Sequence, residues 1–460
     1  EMSLHSVFVM PSNLEGLSKA TLEAGALGLS IIAKDAPGVR EAVAHNKNGY
    51  IYKNSLPIIM EGMIRDKNKT FELRKFSPLH IRKNFSLEVI ASSPANNVAQ
   101  IVIELDVDVS ETEAYQLAVD KSAILLSAKS HHGLFNGINT IAQLFLAQGE
   151  TFSIPGLTIK DQPLVSYRGL MLDVSRHFYN VDEIKKILDV MAFYKFNTFH
   201  WHLTDDQGWR IEINQYPLLT EIGSYRSETV VDKNFNPFIG DGIPHFGYYT
   251  QDEIKEIVEY AKDRYITVIP EIDMPGHMQA AIAAYPELAC VPGPFEVLNI
   301  WGVSYEILCP SNVTFSFIED VLLEVIELFP GEYIHIGGDE VPTNRWENSV
   351  IAQEFLRENN IDSFKQLQGY FYLRVEKFLA EHGKKTIGWD EVQENHLDGT
   401  TTIMARRKLS QTVETIKKGH QVILTPNEYT YFNYYQGLKS TEPLAQGSLI
   451  NLEKVYQFSP

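Results

Sequence analysis

From residue 167 onward the chain alternates short apolar runs with longer stretches that are apolar at every third or fourth position. The apolar runs predict strands at Gly169–Val174, Thr198–Leu203, Thr267–Ile272, Tyr333–Ile336, Lys385–Trp389, Thr402–Ala405 and Val422–Leu424. Each is nearly continuous and ends in polar residues, as strands buried on both faces do. Between them, helical periodicity predicts amphipathic helices at Val181–Tyr194, Gln251–Arg264, Phe315–Phe329 and Phe364–Glu381. Strands alternating with helices imply parallel pairing. No strand is followed by a Gly-x-Gly-x-x-Gly turn, so the expected fold is α/β, a (β/α)8 TIM-type barrel and not a doubly wound sheet. Only seven barrel strands can be read, which leaves the first and seventh with unpaired edges; the eighth is expected beyond Pro460.

The upstream texture differs. Residues 76–163 show strand-like runs at Leu87–Ala91, Val98–Leu105, Tyr115–Val119 and Ala123–Ser127. A helix from His132 to Ala147 follows, with Leu134, Ile138, Ile141 and Leu144 on one face. This predicts a small α+β domain preceding the barrel. Residues 56–75 are polar and irregular and read as a linker. Residues 1–55 hold the apolar run Ser6–Met10, the strand-like Ser30–Ala33 and an Ala36-Pro37-Gly38 turn. The expected division is therefore 1–55, 56–75, 76–163 and 164–460.

Composition removes several function classes. Forty Lys+Arg against 59 Asp+Glu give the 460-residue chain a formal charge of −19. That balance argues against nucleic acid or an anionic membrane as partner, because phosphate binding relies on basic surface. No apolar run reaches the ~18 residues of a membrane span. The two cysteines, Cys290 and Cys309, fit no zinc spacing; one bridge or two buried thiols both remain open.

The strand ends change the picture most, because a barrel of this type carries its chemistry there. The first strand ends in Asp173-Val-Ser-Arg176-His177 and the second in His200-Trp-His202-Leu-Thr-Asp205-Asp206. The third ends in Glu271-Ile-Asp273-Met-Pro-Gly-His277, the fourth in Gly337-Gly338-Asp339-Glu340 and the fifth in Trp389-Asp390-Glu391. Acidic, basic and aromatic groups at every end predict a polar, sugar-sized pocket with paired carboxylates. Asp339 and Glu340 are adjacent, so they cannot flank a sugar from opposite faces as a nucleophile and an acid do. They can serve one substrate that supplies its own nucleophile, such as a 2-acetamido group whose carbonyl oxygen attacks C1.

These motifs, together with His335-Ile-Gly-Gly, Leu172-Asp173-Val-Ser-Arg176-His177, His200-Trp-His-Leu-Thr-Asp-Asp-Gln-Gly-Trp209 and Met274-Pro-Gly-His277, resemble glycoside hydrolase family 20, the β-N-acetylhexosaminidases, from about residue 80 to the end. The resemblance implies a retaining exo-hydrolase that removes terminal N-acetylglucosamine or N-acetylgalactosamine from a glycan or chitooligosaccharide without cofactor or metal. It implies Glu340 as general acid/base and Asp339 as the group that orients the acetamido N–H. Asp205 and His277 form a pair that tunes Glu340, and Arg176 binds sugar hydroxyls. Tyr431 meets the acetamido carbonyl, Trp389 forms one wall of an aromatic cage, and Asn433 stands where a sugar-binding aspartate is usual. A second cage tryptophan is replaced by Arg406, and the eighth strand's tryptophan and glutamate fall beyond Pro460. The alternative is an inactive or glycan-binding pseudoenzyme, or a fragment of a transferase–hydrolase fusion.

Residues 7–52 resemble the donor-binding region of family 4 glycosyltransferases, through Pro11-Ser-Asn-Leu-Glu15-Gly16, Glu23 and Pro37-Gly38-Val-Arg-Glu41. The segment is about fifty residues long and reads as a remnant. His200 and His202 could be metal ligands, but packed or pocket-lining histidines are the expected reading; Trp201 and Trp209 are expected to pack.

Overall fold

The computed structural model describes residues 100–458, apart from 106–110, 121–122, 147–155, 396–399 and 408. Before residue 100 it describes only the backbone of three parallel strands, Val7–Met10, Ser30–Lys34 and Gly49–Tyr52. The transferase-like Glu15, Glu23 and Glu41, the linker and the strand expected at Leu87–Ala91 lie outside the described residues.

Seven parallel strands form the barrel sheet in chain order: Gly169–Asp173, Thr198–Asp205, Thr267–Ile272, Tyr333–His335, Lys385–Trp389, Thr402–Ala405 and Val422–Leu424. The second strand is buried at every position, its polar His200, His202, Thr204 and Asp205 included. It runs two residues past the expected end because Gly208–Trp209 folds back antiparallel on Asp205 and Thr204. The first and seventh strands do not pair with each other among the described residues. Met171 on the first is 38% exposed, as an edge strand allows.

The helices start where local chemistry satisfies their free N–H groups. Asn180 and Thr250 each cap a helix and are bonded back by Glu183 and Glu253, opening Val181–Phe193 and Gln251–Lys262. Ser311 accepts from the Thr314 N–H, so the helix expected from Phe315 begins at Asn312 and runs to Leu328. These helices bury Ile184, Leu188, Ile254, Ile257, Phe315 and Leu322 around the sheet in one continuous core. Trp201 and Trp209 lie in that core, 0% and 1% exposed, so both pack as expected.

The smaller unit is a four-stranded sheet in the order Gln100–Leu105, Ala123–Ala128, Tyr115–Val119, Leu157–Asp161, covered by the helix His131–Leu146. It docks on the strand starts, away from the strand ends. Arg168 pairs with Glu113, Lys195 donates to Asp161 at 2.7 Å, and Gln143 donates to the Phe193 carbonyl at 2.7 Å. Cys290 and Cys309 are bridged. The bridge closes the loop whose Ser304 N–H reaches Asp206 Oδ2 at 3.0 Å, so it steadies backbone that meets the strand ends. No helix of the described residues is long and apolar enough to cross a membrane.

Candidate active site

Parallel register places one layer of charged side chains across the first four strands. His202 faces Asp173 on one side and Glu271 on the other, and Glu271 in turn faces His335. Glu271 is fully buried. Its Oε2 lies 2.7 Å from His202 Nδ1 and 2.8 Å from His200 Nε2, and its Oε1 accepts the Trp389 indole N–H at 2.8 Å. A carboxylate without partners would cost several kcal/mol there, on the order of 3–5 kcal/mol. Burial by itself would raise its pKa, yet the surrounding imidazoles hold it well below the usual range. Glu271 and Asp173 in turn raise His202 well above an ordinary histidine, against the effect of burial. His200, also buried, falls to about 4 and stays neutral. Ligand atoms of His200, Glu271 and His335 come within 4.8 Å of one another, a spacing a metal ion could use.

Above this layer sits Asp205, with both oxygens engaged. Oδ2 meets Arg176 Nη1 at 2.6 Å and His202 Nε2 at 2.8 Å, while Oδ1 meets His277 Nδ1 at 3.0 Å. Burial opposes ionisation, but Arg176 and His277 hold the Asp205 carboxyl far below the usual range. The same ion pairing raises His277, which remains a cation through neutral pH although burial alone would lower it. Arg176 also bonds Asp173 Oδ2 at 2.9 Å and Gln207 Oε1 at 3.0 Å. That fork leaves its side chain 37% exposed.

Asp339 and Glu340 are delivered by a turn that needs its glycines. Gly337 and Gly338 have φ of 66° and 90°. A Cβ on Gly337 would lie 1.7 Å from Asp273 Oδ1, the atom that accepts the Gly338 N–H at 2.9 Å. Glu340 and His277 themselves hold positive φ, 47° and 54°, a cost that side chains pay at functional turns. The turn aims both carboxylates at the same two cations. His277 Nε2 is 4.0 Å from Asp339 Oδ2 and 3.6 Å from Glu340 Oε2, and Arg406 Nη2 is 3.3 Å and 3.5 Å from the two groups. Asp339 is 8% exposed, and its Oδ1 finds no donor among the described residues. Glu340 is the more open, and the His277 imidazole lowers its pKa; burial works the other way, and Arg406 adds to the lowering.

Of the residues singled out by sequence, Glu340, Asp339, His277, Asp205 and Arg176 form this continuous chain of contacts. Trp389 is 4% exposed and Arg406 stands against it, guanidinium carbon 5.8 Å from the ring centroid. Tyr431 lines a cavity of about 790 Å3 with Glu340, Glu391, Arg406, Tyr434 and Gln446. Burial pushes its phenol up, so it stays a neutral donor. Asn433 is exposed and is not among the lining residues. Glu271, His202, Asp206 and Glu391, which the sequence places at strand ends without a role of their own, complete the network together with Gln207. A glutamate between Pro270 and Ile272, in a strand whose other residues from Val268 onward are apolar, is the signal the sequence holds for Glu271.

The model of the glycosyl hydrolase family 20 catalytic domain matches residues 165–460, that of its domain 2 matches 37–162, and that of glycosyl transferases group 1 matches 1–61. A β-hexosaminidase of Porphyromonas gingivalis is 44% identical over 392 residues, 83% of this chain and 49% of the relative. A β-hexosaminidase of Vibrio furnissii is 39% identical over 367 residues, 79% of this chain and 59% of the relative. The chain thus spans about half the length of the first and three-fifths of the second. The crystal structure of a β-N-acetylhexosaminidase aligns with a TM-score of 0.73 at 35% identity, covering 78% of this chain and 76% of that one.

Proposed function

The chain belongs to glycosyl hydrolase family 20, and from that premise we propose that it removes terminal N-acetylhexosamine from glycans with retention of configuration. The observation that carries the proposal is the convergence of Asp339 and Glu340 on the same two cations, His277 and Arg406. In the first step Glu340 gives its proton to the leaving glycosidic oxygen. The substrate's acetamido carbonyl oxygen attacks C1 and forms an oxazolinium. Asp339 Oδ1, which has no donor of its own among the described residues, accepts the acetamido N–H and offsets the positive charge that grows on that group. Tyr431 donates to the acetamido carbonyl. Water then attacks C1, the oxazolinium C1–O bond breaks to restore the acetamide, and Glu340, now a carboxylate, takes the proton from the water. The Asp205–His277 pair sets the Glu340 acidity, and the exposed fork of Arg176 binds hydroxyls of the terminal sugar.

A second reading is supported by one contact. Arg406 already pairs with Asp339, so the pocket could bind a sugar without turning it over. Hydrolysis of an aryl N-acetyl-β-glucosaminide and of its 2-hydroxy counterpart separates the readings. The expected result is β-configured product from the acetamido substrate alone. Binding of N-acetylglucosamine with no turnover of either glycoside supports the second reading; equal turnover of both removes substrate assistance.

A further inference from the structure

The space beside Trp389 is not apolar in this chain. The indole is fixed from behind by Glu271, which takes its N–H at 2.8 Å. On its other side stands a guanidinium, since Arg406 occupies the place where the resemblance expects a second indole. Arg406 is not stranded there. Its Nη2 meets Glu391 Oε1 at 2.5 Å and Asp339 Oδ2 at 3.3 Å, and Tyr431 lines the same cavity. Those carboxylates offset the cost of holding a cation in a side chain that is only 18% exposed. A guanidinium carries five N–H donors in a rigid fork. What it presents to a substrate is therefore a set of donors, with the acceptor Glu391 beside them. A methyl group gains nothing from such a wall, whereas a hydroxyl can accept from the guanidinium and donate to Glu391. Hydrogen bonds with one charged partner are roughly twice as strong as neutral ones.

We propose that Arg406 is a specificity-determining residue that turns the acyl slot toward hydroxylated acyl groups, so that 2-glycolylamido sugars are preferred over 2-acetamido sugars. This rests on the reading above, in which the 2-acylamino group lies between Asp339 and Tyr431.

The test uses two ring-closed mimics of the oxazolinium, glucosamine-derived thiazolines carrying a methyl or a hydroxymethyl group, and measures the Kd of each. The full chain is expected to bind the hydroxymethyl compound about tenfold more tightly. Arg406→Trp is expected to reverse the order, and Arg406→Gln, which keeps donors but not the charge, to fall between. The kcat/KM values of aryl 2-acetamido- and 2-glycolylamido-β-glucosides should follow the same order. A chain that binds the methyl compound equally or better overturns the proposal and leaves the hydrolase reading intact. A chain that binds neither thiazoline overturns the hydrolase reading and this proposal with it. The wild-type ratio alone decides, so a variant that fails to fold does not rescue the idea.

Discussion

Glu340→Gln is expected to lower kcat/KM on poor leaving groups by about 10²–10⁴, the usual contribution of a positioned general acid. The loss should shrink on a dinitrophenyl glycoside, whose leaving oxygen needs little protonation. The side chain is half-open and sits at the end of the turn, so folding should be unaffected and a melting curve should match wild type. The pH dependence follows from the same group. The acid form starts the reaction, so wild-type kcat/KM falls as pH rises through the Glu340 pKa of the free chain. His277 and Arg406 place that pKa below an ordinary glutamate, which sets the optimum on the acidic side. In Glu340→Gln that basic limb should vanish. A variant that keeps the limb and the rate means that another group supplies the proton.

Asp339→Asn is expected to cost about 10²–10³ in kcat, comparable to removing one preorganised electrostatic partner of a transition state. The amide keeps the shape but loses the anion that faces the oxazolinium, and it also releases Arg406 from one of its carboxylates. KM should change little, because the charge it stabilises develops during the reaction and not on binding. Arg406 keeps Glu391, so the fold has no reason to fail. A variant with wild-type kcat and raised KM would make Asp339 a binding residue only.

Most of the barrel was legible because its central strands are buried on both faces and its helices carry their own start signals. Thr267–Ile272, Lys385–Trp389, Thr402–Ala405 and Val422–Leu424 have the bounds that their apolar runs predict. The strand ends were legible as polar clusters following apolar runs, which is how Asp205, His277, Asp339 and Glu340 could be named. Contacts set by register were not. That His202 lies between Asp173 and Glu271, and Glu271 beside His335, depends on how neighbouring strands are staggered, and local pattern carries no such information. The same applies to the Cys290–Cys309 bridge, where spacing left two states open. Arg406 was legible as an anomaly, a cation where an indole was expected. Its three carboxylate partners come from two other strand ends, and only the folded chain brings them together.

The central claim is that the substrate's own acylamino oxygen attacks C1 between Asp339 and Glu340. The most direct measurement is the hydrolysis rate of aryl β-glucosaminides whose N-acyl group is acetyl, fluoroacetyl, difluoroacetyl or trifluoroacetyl. Each fluorine withdraws electrons from the attacking carbonyl oxygen, so kcat should drop steeply and monotonically along the series. A flat series, in which carbonyl nucleophilicity leaves the rate unchanged, would contradict the account.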